Sequence, residues 1–254
     1  MRIANWNVNS VRTRVTHMVQ FLERQNIDVL LVQETKCKDA QFPYDAFPDY
    51  EIAHVGYSQW NGVAILSRVG LDDVDKQFPQ QPGFHKDPTQ PQTVEARAVG
   101  ATCGGVRVWS VYVPNGRAIA DPHYDYKLRW LRALSQHVQH TEGPMVIGGD
   151  FNIAPEDTHV WDRAAFTGLT HVSEPERQAF EHLLDAGLTV ASPQDGYSYW
   201  DYKGYRIERN EGMLIDFQLA RDLSVVHSFI DVEERHNVQP SDHAPVIVEY
   251  TPCT

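Results

Sequence analysis

Cysteine is scarce in this chain: Cys37, Cys103 and Cys253 are three among 254 residues, widely spaced and without a C-x-x-C pair. That excludes a disulfide framework and a cysteine-based zinc site, and the three are expected to be free thiols in a reducing cytoplasm. No apolar run approaches the roughly 20 residues that cross a bilayer, so no membrane association is expected. A strand-like pattern begins at Arg2, and no signal or transit peptide is expected. Excess positive charge is missing too. A formal net charge of −12 excludes a protein that coats nucleic acid through its overall field and leaves only a local basic groove. Candidates for such a groove are Arg12, Arg14, Lys36, Lys38, Arg117, Lys203, Arg206 and Arg209. With no Pro/Gly/Ser-rich linker and no repeat, residues 1–254 are expected to form a single domain.

What is present is a strongly patterned chain. Over residues 2–8, Ile3, Asn5, Asn7 and Asn9 share one face of an extended segment and Ala4, Trp6 and Val8 the other. Val11, Val15, Met18, Val19 and Leu22 follow at helical spacing. Residues 27–32, apolar but for Asp28, form a run that stops at Gln33-Glu34, the mark of a strand buried on both faces. Residues 51–55 and 62–67 read as a hairpin turning at Asn61-Gly62, and 93–102 and 106–113 as another across Gly104-Gly105. A helix is expected over 124–138, a buried strand over 145–148, and a second helix opened by a capping box of Ser173 and Glu176 and ending near Gly187. Strands near 197–200, 213–219, 224–231 and 245–250 complete the chain. Hairpins mixed with helical crossovers predict an α/β fold with mixed sheets.

Five polar constellations sit at the ends of these runs: Asn5-Trp6-Asn7-Val8-Asn9, Gln33-Glu34-Thr35-Lys36, Gly148-Gly149-Asp150-Phe151-Asn152, Leu214-Ile215-Asp216-Phe217 and Ser241-Asp242-His243. Buried strands carry Val, Ile and Leu, so amides, carboxylates and a histidine at several strand ends point to a ligand site at the sheet edge. Their hard oxygen donors suit Mg²⁺ or Mn²⁺ acting on phosphate. An extended backbone puts Asp150 and Asn152 on one face, where a carboxylate beside an amide can activate water and hold phosphate oxygens; after Gly148-Gly149 the pair also fits an ordinary turn. His243 needs an orienting carboxylate, and Asp216 can supply it, since an unpaired charge in that apolar strand would be costly. Glu34 with Lys36 fits a metal ligand beside a phosphate-binding cation or a salt-bridged loop start. Tyr112 faces away from Val111 and Val113. His137 and His140 have no third ligand and are expected on a solvated helix face, and Trp60-Asn61-Gly62 is explained by hairpin chemistry.

In this order and spacing the motifs resemble the exonuclease III family of apurinic/apyrimidinic endonucleases, within the deoxyribonuclease I-like phosphoesterases. The more specific elements are Trp6 to Arg12, Gln33 to Lys36, Tyr112-Val113-Pro114-Asn115 and Tyr199-Trp200-Asp201-Tyr202; Gly-Asp-x-Asn and Ser-Asp-His belong to the wider group. The segments 121–124 and 170–177 are similar to bacterial, particularly actinobacterial, members.

The resemblance implies a four-layer α/β sandwich, two mixed β-sheets packed face to face with helices on the outside, and an active site at one end. It implies Glu34 as the principal Mg²⁺ ligand (Mn²⁺ fitting the same donors), with Asn7, Asp150, Asn152, Asp242 and His243 in or beside the metal shell. The catalytic set carried over is Tyr112, Asp150, Asn152, Asp216 and His243. The DNA contacts are Asn9, Arg12, Lys36, Asn115, Arg117, Tyr199, Trp200 and Met213. Tyr199, Met213 and Ile215 are either the pocket for a flipped-out abasic sugar or plain core residues.

The implied reaction is hydrolysis on the 5′ side of an abasic nucleotide in double-stranded DNA, leaving a 3′ hydroxyl. Exonuclease action from 3′ ends and 3′ end-cleaning go with it, in a cytoplasmic monomer. Where the family usually has a basic residue before the Ile-Asp of the Asp216 motif, this chain has Leu214, expected on the same strand face as Asp216. Branches acting on RNA, phospholipid or inositol phosphate share the Asp, Asn and His motifs but commonly carry a second histidine at the position of Tyr112. A DNA-binding relative that has lost catalysis would lack part of a set that is complete here.

Overall fold

Alternation in the first strand decides the layering. In the computed structural model, which describes residues 1–252, β1 (Arg2–Asn7) leads into α1 (Val11–Gln25) and back to β2 (Val29–Gln33), parallel to β1 with Asn7 opposite Gln33. Ala4, Trp6 and Val8 pack on Val11, Met18, Phe21 and Leu22 of α1, while Ile3 on the other face joins a cluster with residues of a second sheet. Burying each such side chain stabilises the fold by about 1.5–3 kcal/mol. Asn26 closes α1 in the left-handed conformation, φ 50°.

The remaining elements are β3 (Glu51–Val55), β4 (Val63–Ser67), β5 (Asp72–Asp75), β6 (Ala98–Cys103), β7 (Val106–Tyr112), α2 (Pro122–Gln139), β8 (Met145–Asp150), α3 (Glu174–Asp185), β9 (Thr189–Val190), β10 (Asp216–Arg221), β11 (Leu223–Ile230) and β12 (Val246–Pro252). One sheet has the order β11-β12-β1-β2-β4-β3 and the other β5-β6-β7-β8-β10-β9. Each contains one parallel pair, β1 with β2 and β7 with β8, and is otherwise antiparallel. One apolar cluster lies between the sheets, a second holds α2 and α3 on the β8 side, and a third holds α1 on the other. The four-layer sandwich is therefore what folds. Gly148 lets the sheets approach: a Cβ there would come within 2.7 Å of Leu31 Cδ1. Cys37 and Cys103 are buried free thiols; Cys253 lies outside the described residues. Among the described residues no helix is long and apolar enough to cross a membrane.

Several local expectations are corrected. Asn61-Gly62 is not a two-residue hairpin turn: Val55 pairs with Val63, so the connection runs over residues 56–62. The two left-handed residues instead buttress the next loop, as Thr35 and Lys36 donate backbone N–H bonds to Gly62 and Asn61 carbonyls at 3.1 and 2.9 Å. The strand expected from 93 begins at Ala98, because Arg97 bonds back to Glu95 and tucks under Tyr112. Tyr199 makes only isolated bridges, to Met213 and His243, and β10 starts at Asp216. That late start breaks the alternation, so Leu214 joins the core cluster of Phe217 and Leu219. β5 and β9 were not expected; the first is a run of exposed aspartates and the second too short for a pattern. His137 is half-buried, stacked on Phe78 and set against Trp109, rather than solvated.

Burial also sets the acid limit of the fold. Burial holds His54, His123 and His171 neutral, each pushed down to about 4. Above their ordinary value of 6.5 nothing is lost. Below it the unfolded chain takes up protons that the folded chain refuses, so stability falls until pH reaches about 4, by about 1.4 kcal/mol per pH unit for each histidine. His123 Nδ1 accepts from Gly116 N at 3.1 Å, a role an asparagine oxygen can fill. We expect His123→Asn to flatten the urea-unfolding free energy between pH 6.5 and 4.5 by one such proton; an unchanged slope would show that His123 does not titrate this way.

Candidate active site

Both parallel strand pairs point their C-terminal ends to one end of the sandwich. Asn7 closes β1, Glu34 follows β2, Tyr112 closes β7 and Asp150 closes β8. Tyr112 and Asp216 lie opposite Asp150 in the ladder, and the 241–243 turn enters just before β12. These ends surround a cavity of 190 Å³ lined by Glu34, Tyr112, Asn115, Asp150, Asn152, His171, Tyr199, Met213, Ile215, Asp242 and His243. The backbone there is held in unusual conformations: Asn9, Glu34, Lys36, Asn152 and His171 all have left-handed φ between 46° and 77°. Non-glycine residues persist in that region only where surrounding structure over-determines them.

Asn7 joins the two sheets chemically. Its amide nitrogen donates to Glu34 Oε1 and to Asp150 Oδ2, both at 3.0 Å, and its oxygen accepts from Asn9 N at 3.0 Å. Burial works against the Glu34 charge, but Lys36, 2.6 Å away, holds its carboxyl below the usual range. Asn9 bonds Lys36 through its oxygen and Asp242 Oδ1 at 2.9 Å through its nitrogen. Asp150 is the opposite case. Burial and the neighbouring Asp216 charge push it up to about 7, against the pull of His243. His243 resists burial because its Nδ1 lies 2.8 Å from Asp216 Oδ2, which raises it to about 10; its Nε2 faces Asp150 Oδ2 at 3.8 Å.

Behind these groups stands a set of positioning residues that carried no sequence signal of their own. Ser198 Oγ donates to Asp216 Oδ2 at 2.6 Å and accepts from the Asp216 and Ile215 amides at 3.2 Å. The Arg97 guanidinium lies 4.8 Å from the Tyr112 ring centroid, while burial and the Glu34 charge push the Tyr112 hydroxyl well up. Asn152 donates to Val113 O at 3.0 Å and its oxygen accepts from Asn115 at 3.0 Å, with His171 Nε2 at 3.2 Å. Since an amide nitrogen carries two hydrogens, Asn152 keeps one donor for a ligand. The buried Lys127 ammonium bonds Asn152 O at 2.6 Å, Asn115 O at 3.3 Å and the Glu176 carboxylate. Glu176, read in the sequence as a capping-box residue, is both cap and counter-ion.

Of the expected DNA contacts, Asn9 and Lys36 border the cavity through Asp242 and Glu34, and Asn115, Tyr199 and Met213 line it. Tyr199 packs against the His243 ring, centroids 4.8 Å apart. Arg12 and Arg117 are exposed. Trp200 is not available to DNA: it is 3% exposed and its Nε1 donates to Asn210 Oδ1 at 3.2 Å.

The donor set fits a divalent cation. Asp150, Asp216 and His243 offer atoms within 4.8 Å of one another, but His243 and Asp216 are bonded to each other. Glu34 and Asp150, brought to one Asn7 amide, with the Asn7 oxygen and Asp242 nearby, form the more open set of hard oxygens. Burial, with the Asp216 and Glu34 charges added to it, raises Asp150 to about 7, and a cation among these carboxylates offsets both.

Known proteins resemble the chain over nearly its whole length. The chain is 28% identical to an exodeoxyribonuclease of Bacillus subtilis, over 97% of this chain and 98% of that one. It is 27% identical to exodeoxyribonuclease III of Haemophilus influenzae, over 98% and 100%. Among solved structures, a variant of the 3′ phosphatase NExo from Neisseria, bound to a product DNA hairpin, is 34% identical with a TM-score of 0.90, covering 99% of both chains. An AP endonuclease from Archaeoglobus fulgidus is 30% identical with a TM-score of 0.88, covering 98% and 99%. Residues 4–243 match the model of the endonuclease/exonuclease/phosphatase family, and with the site formed by both sheets at one end of a four-layer sandwich, the chain belongs to that family.

Proposed function

We propose that the chain is a divalent-metal-dependent DNA repair nuclease that hydrolyses the phosphodiester 5′ to an abasic site, leaving a 3′ hydroxyl, and that trims and cleans 3′ ends at the same site. The observation that carries this reading is the opposed pair of Asp150, pushed up to about 7, and the Asp216-bonded His243, 3.8 Å apart at the wall of a small cavity. A base and a cation side by side suit attack of water on a phosphate that both of them face. The relatives named exodeoxyribonuclease III, AP endonuclease and 3′ phosphatase support the substrate class.

Asp150, freed of its proton, takes one from the attacking water, whose oxygen bonds to phosphorus as the P–O3′ bond breaks. His243, held charged by Asp216, lies against a non-bridging oxygen and neutralises the charge that builds there. The free Asn152 N–H holds a second oxygen, and Tyr112, beside Asp150 in the ladder, donates to the phosphate or assists protonation of the departing 3′ oxygen. Glu34, Asp150, the Asn7 oxygen and Asp242 would hold Mg²⁺ or Mn²⁺, which supplies positive charge against the phosphate when bound. Lys36 and the exposed Arg12 and Arg117 are the DNA-backbone contacts of a chain acting as a cytoplasmic monomer. Given the net charge of −12, binding through this local groove weakens as salt rises.

The test is substrate choice under chelation. With Mg²⁺, a duplex carrying one abasic analogue is expected to be cut in preference to poly(A) or phospholipid vesicles, and EDTA abolishes the activity. Preference for either of the latter would overturn the DNA reading.

A further inference from the structure

A second cavity, of 250 Å³, adjoins the catalytic one, and Tyr199 and Met213 belong to the walls of both. Its far side is Trp161, Phe166 and Leu169, on a segment fixed to the residues that lead into β10 by the Trp161 N–H bond to Gly212 O at 3.1 Å and by the Val160–Met213 bridge. The Arg206 guanidinium lies 5.2 Å from the Trp161 ring centroid and is ion-paired to Glu211. Leu169 is 52% exposed, an apolar side chain without cover.

Nothing in phosphate hydrolysis asks for these groups. They are flat and apolar, with the one guanidinium balanced by Glu211 and the Asp201 carboxylate in the same wall, which suits an uncharged ring better than a phosphate, and they lie one aromatic wall away from the reacting phosphate. The component of DNA that matches such a surface is a nucleobase, which stacks on indole rings and guanidinium planes alike. We propose that this cavity receives the base of the nucleotide on the 3′ side of the scissile bond when that nucleotide is a normal one at a strand terminus. An abasic nucleotide has no base to place there, so the catalytic cavity suffices for it. The proposal rests on the nuclease reading above and adds to it a subsite that sorts its substrates.

The experiment compares release of a normal terminal nucleotide from a recessed 3′ end with cleavage of baseless substrates, namely an internal abasic analogue and a 3′ phosphate end. The enzymes are the wild type, Trp161→Ala, Trp161→Phe and Leu169→Glu. Leu169 is exposed, so its variant leaves the core intact. In Trp161→Ala and Leu169→Glu, kcat/KM for terminal nucleotide release is expected to fall about tenfold or more relative to the baseless substrates, and Trp161→Phe to retain most of it. A parallel loss on all substrates, or no loss on any, would overturn the subsite. A wild-type enzyme that cuts none of these DNAs would overturn the nuclease reading instead.

Discussion

An Asp150→Asn enzyme should lose about a thousandfold or more in phosphodiester hydrolysis, the scale of a lost general base compounded by lost electrostatic organisation. It should nevertheless fold as well as the wild type. Asp150 is 2% exposed, with Asp216 and Glu34 as like charges nearby. Burial and those charges already hold it at about 7, so removing its charge relieves repulsion that the folded chain otherwise bears. The amide keeps an oxygen for the Asn152 N–H, which Asp150 Oδ1 now accepts at 2.9 Å, and gives up the bond that Oδ2 accepts from Asn7, whose nitrogen keeps Glu34. Single-turnover cleavage of an abasic duplex, with a thermal melt of the same sample, checks both halves. A loss below tenfold would remove Asp150 from the role of base, and a collapsed melt would make it structural.

The largest effect on stability is expected at Lys127, a residue that nothing in the sequence marks out. Its side chain is fully buried and its ammonium has only protein partners: the Glu176 carboxylate, itself fully buried, and the carbonyls of Asn152 and Asn115. Burial lowers its affinity for a proton, and Glu176 offsets this. Lys127→Ala leaves a carboxylate without a counter-charge in the interior and should cost about 3–5 kcal/mol in urea unfolding. Lys127→Met with Glu176→Gln removes both charges and should recover most of that loss. The same substitution loosens the two loops that hold Asn152 and Asn115, so activity should fall in the single variant beyond what the unfolded fraction explains. A cost under about 1 kcal/mol would mean that water reaches the pair.

The difference between Asp150 and Lys127 shows what the sequence made legible. Asp150 stands in a short polar break at the end of an apolar strand, and such breaks marked Asn7, Glu34, Asp216 and His243 as well. Period-two alternation likewise locates β1, helical spacing α1 and α2, continuous apolar runs β2 and β8, and a capping box α3. Lys127 lies inside an ordinary amphipathic helix, where a lysine reads as solvated, and only the approach of α3 turns it inward. Ser198, Arg97 and His171 were equally silent, because their roles come from residues distant in sequence. For His171 the one local trace is its left-handed φ of 77°, invisible without coordinates. Leu214 departs from the face expected of it for a related reason: alternation holds only from the start of β10 at Asp216, two residues later. Trp200 shared a recognisable motif with Tyr199, yet neighbouring residues of one motif take different duties, one against His243 and one in the core.

The chemistry assigned to this site is hydrolysis, and the end it leaves on DNA reports on it directly. On a 5′-labelled duplex with one natural abasic site, chelated enzyme restored with Mg²⁺ should give a first product ending in a 3′ hydroxyl that a polymerase extends, and no product while EDTA is in excess. A product blocked at its 3′ end by a sugar remnant, or one formed equally well in EDTA, would contradict water attack at Asp150 and His243.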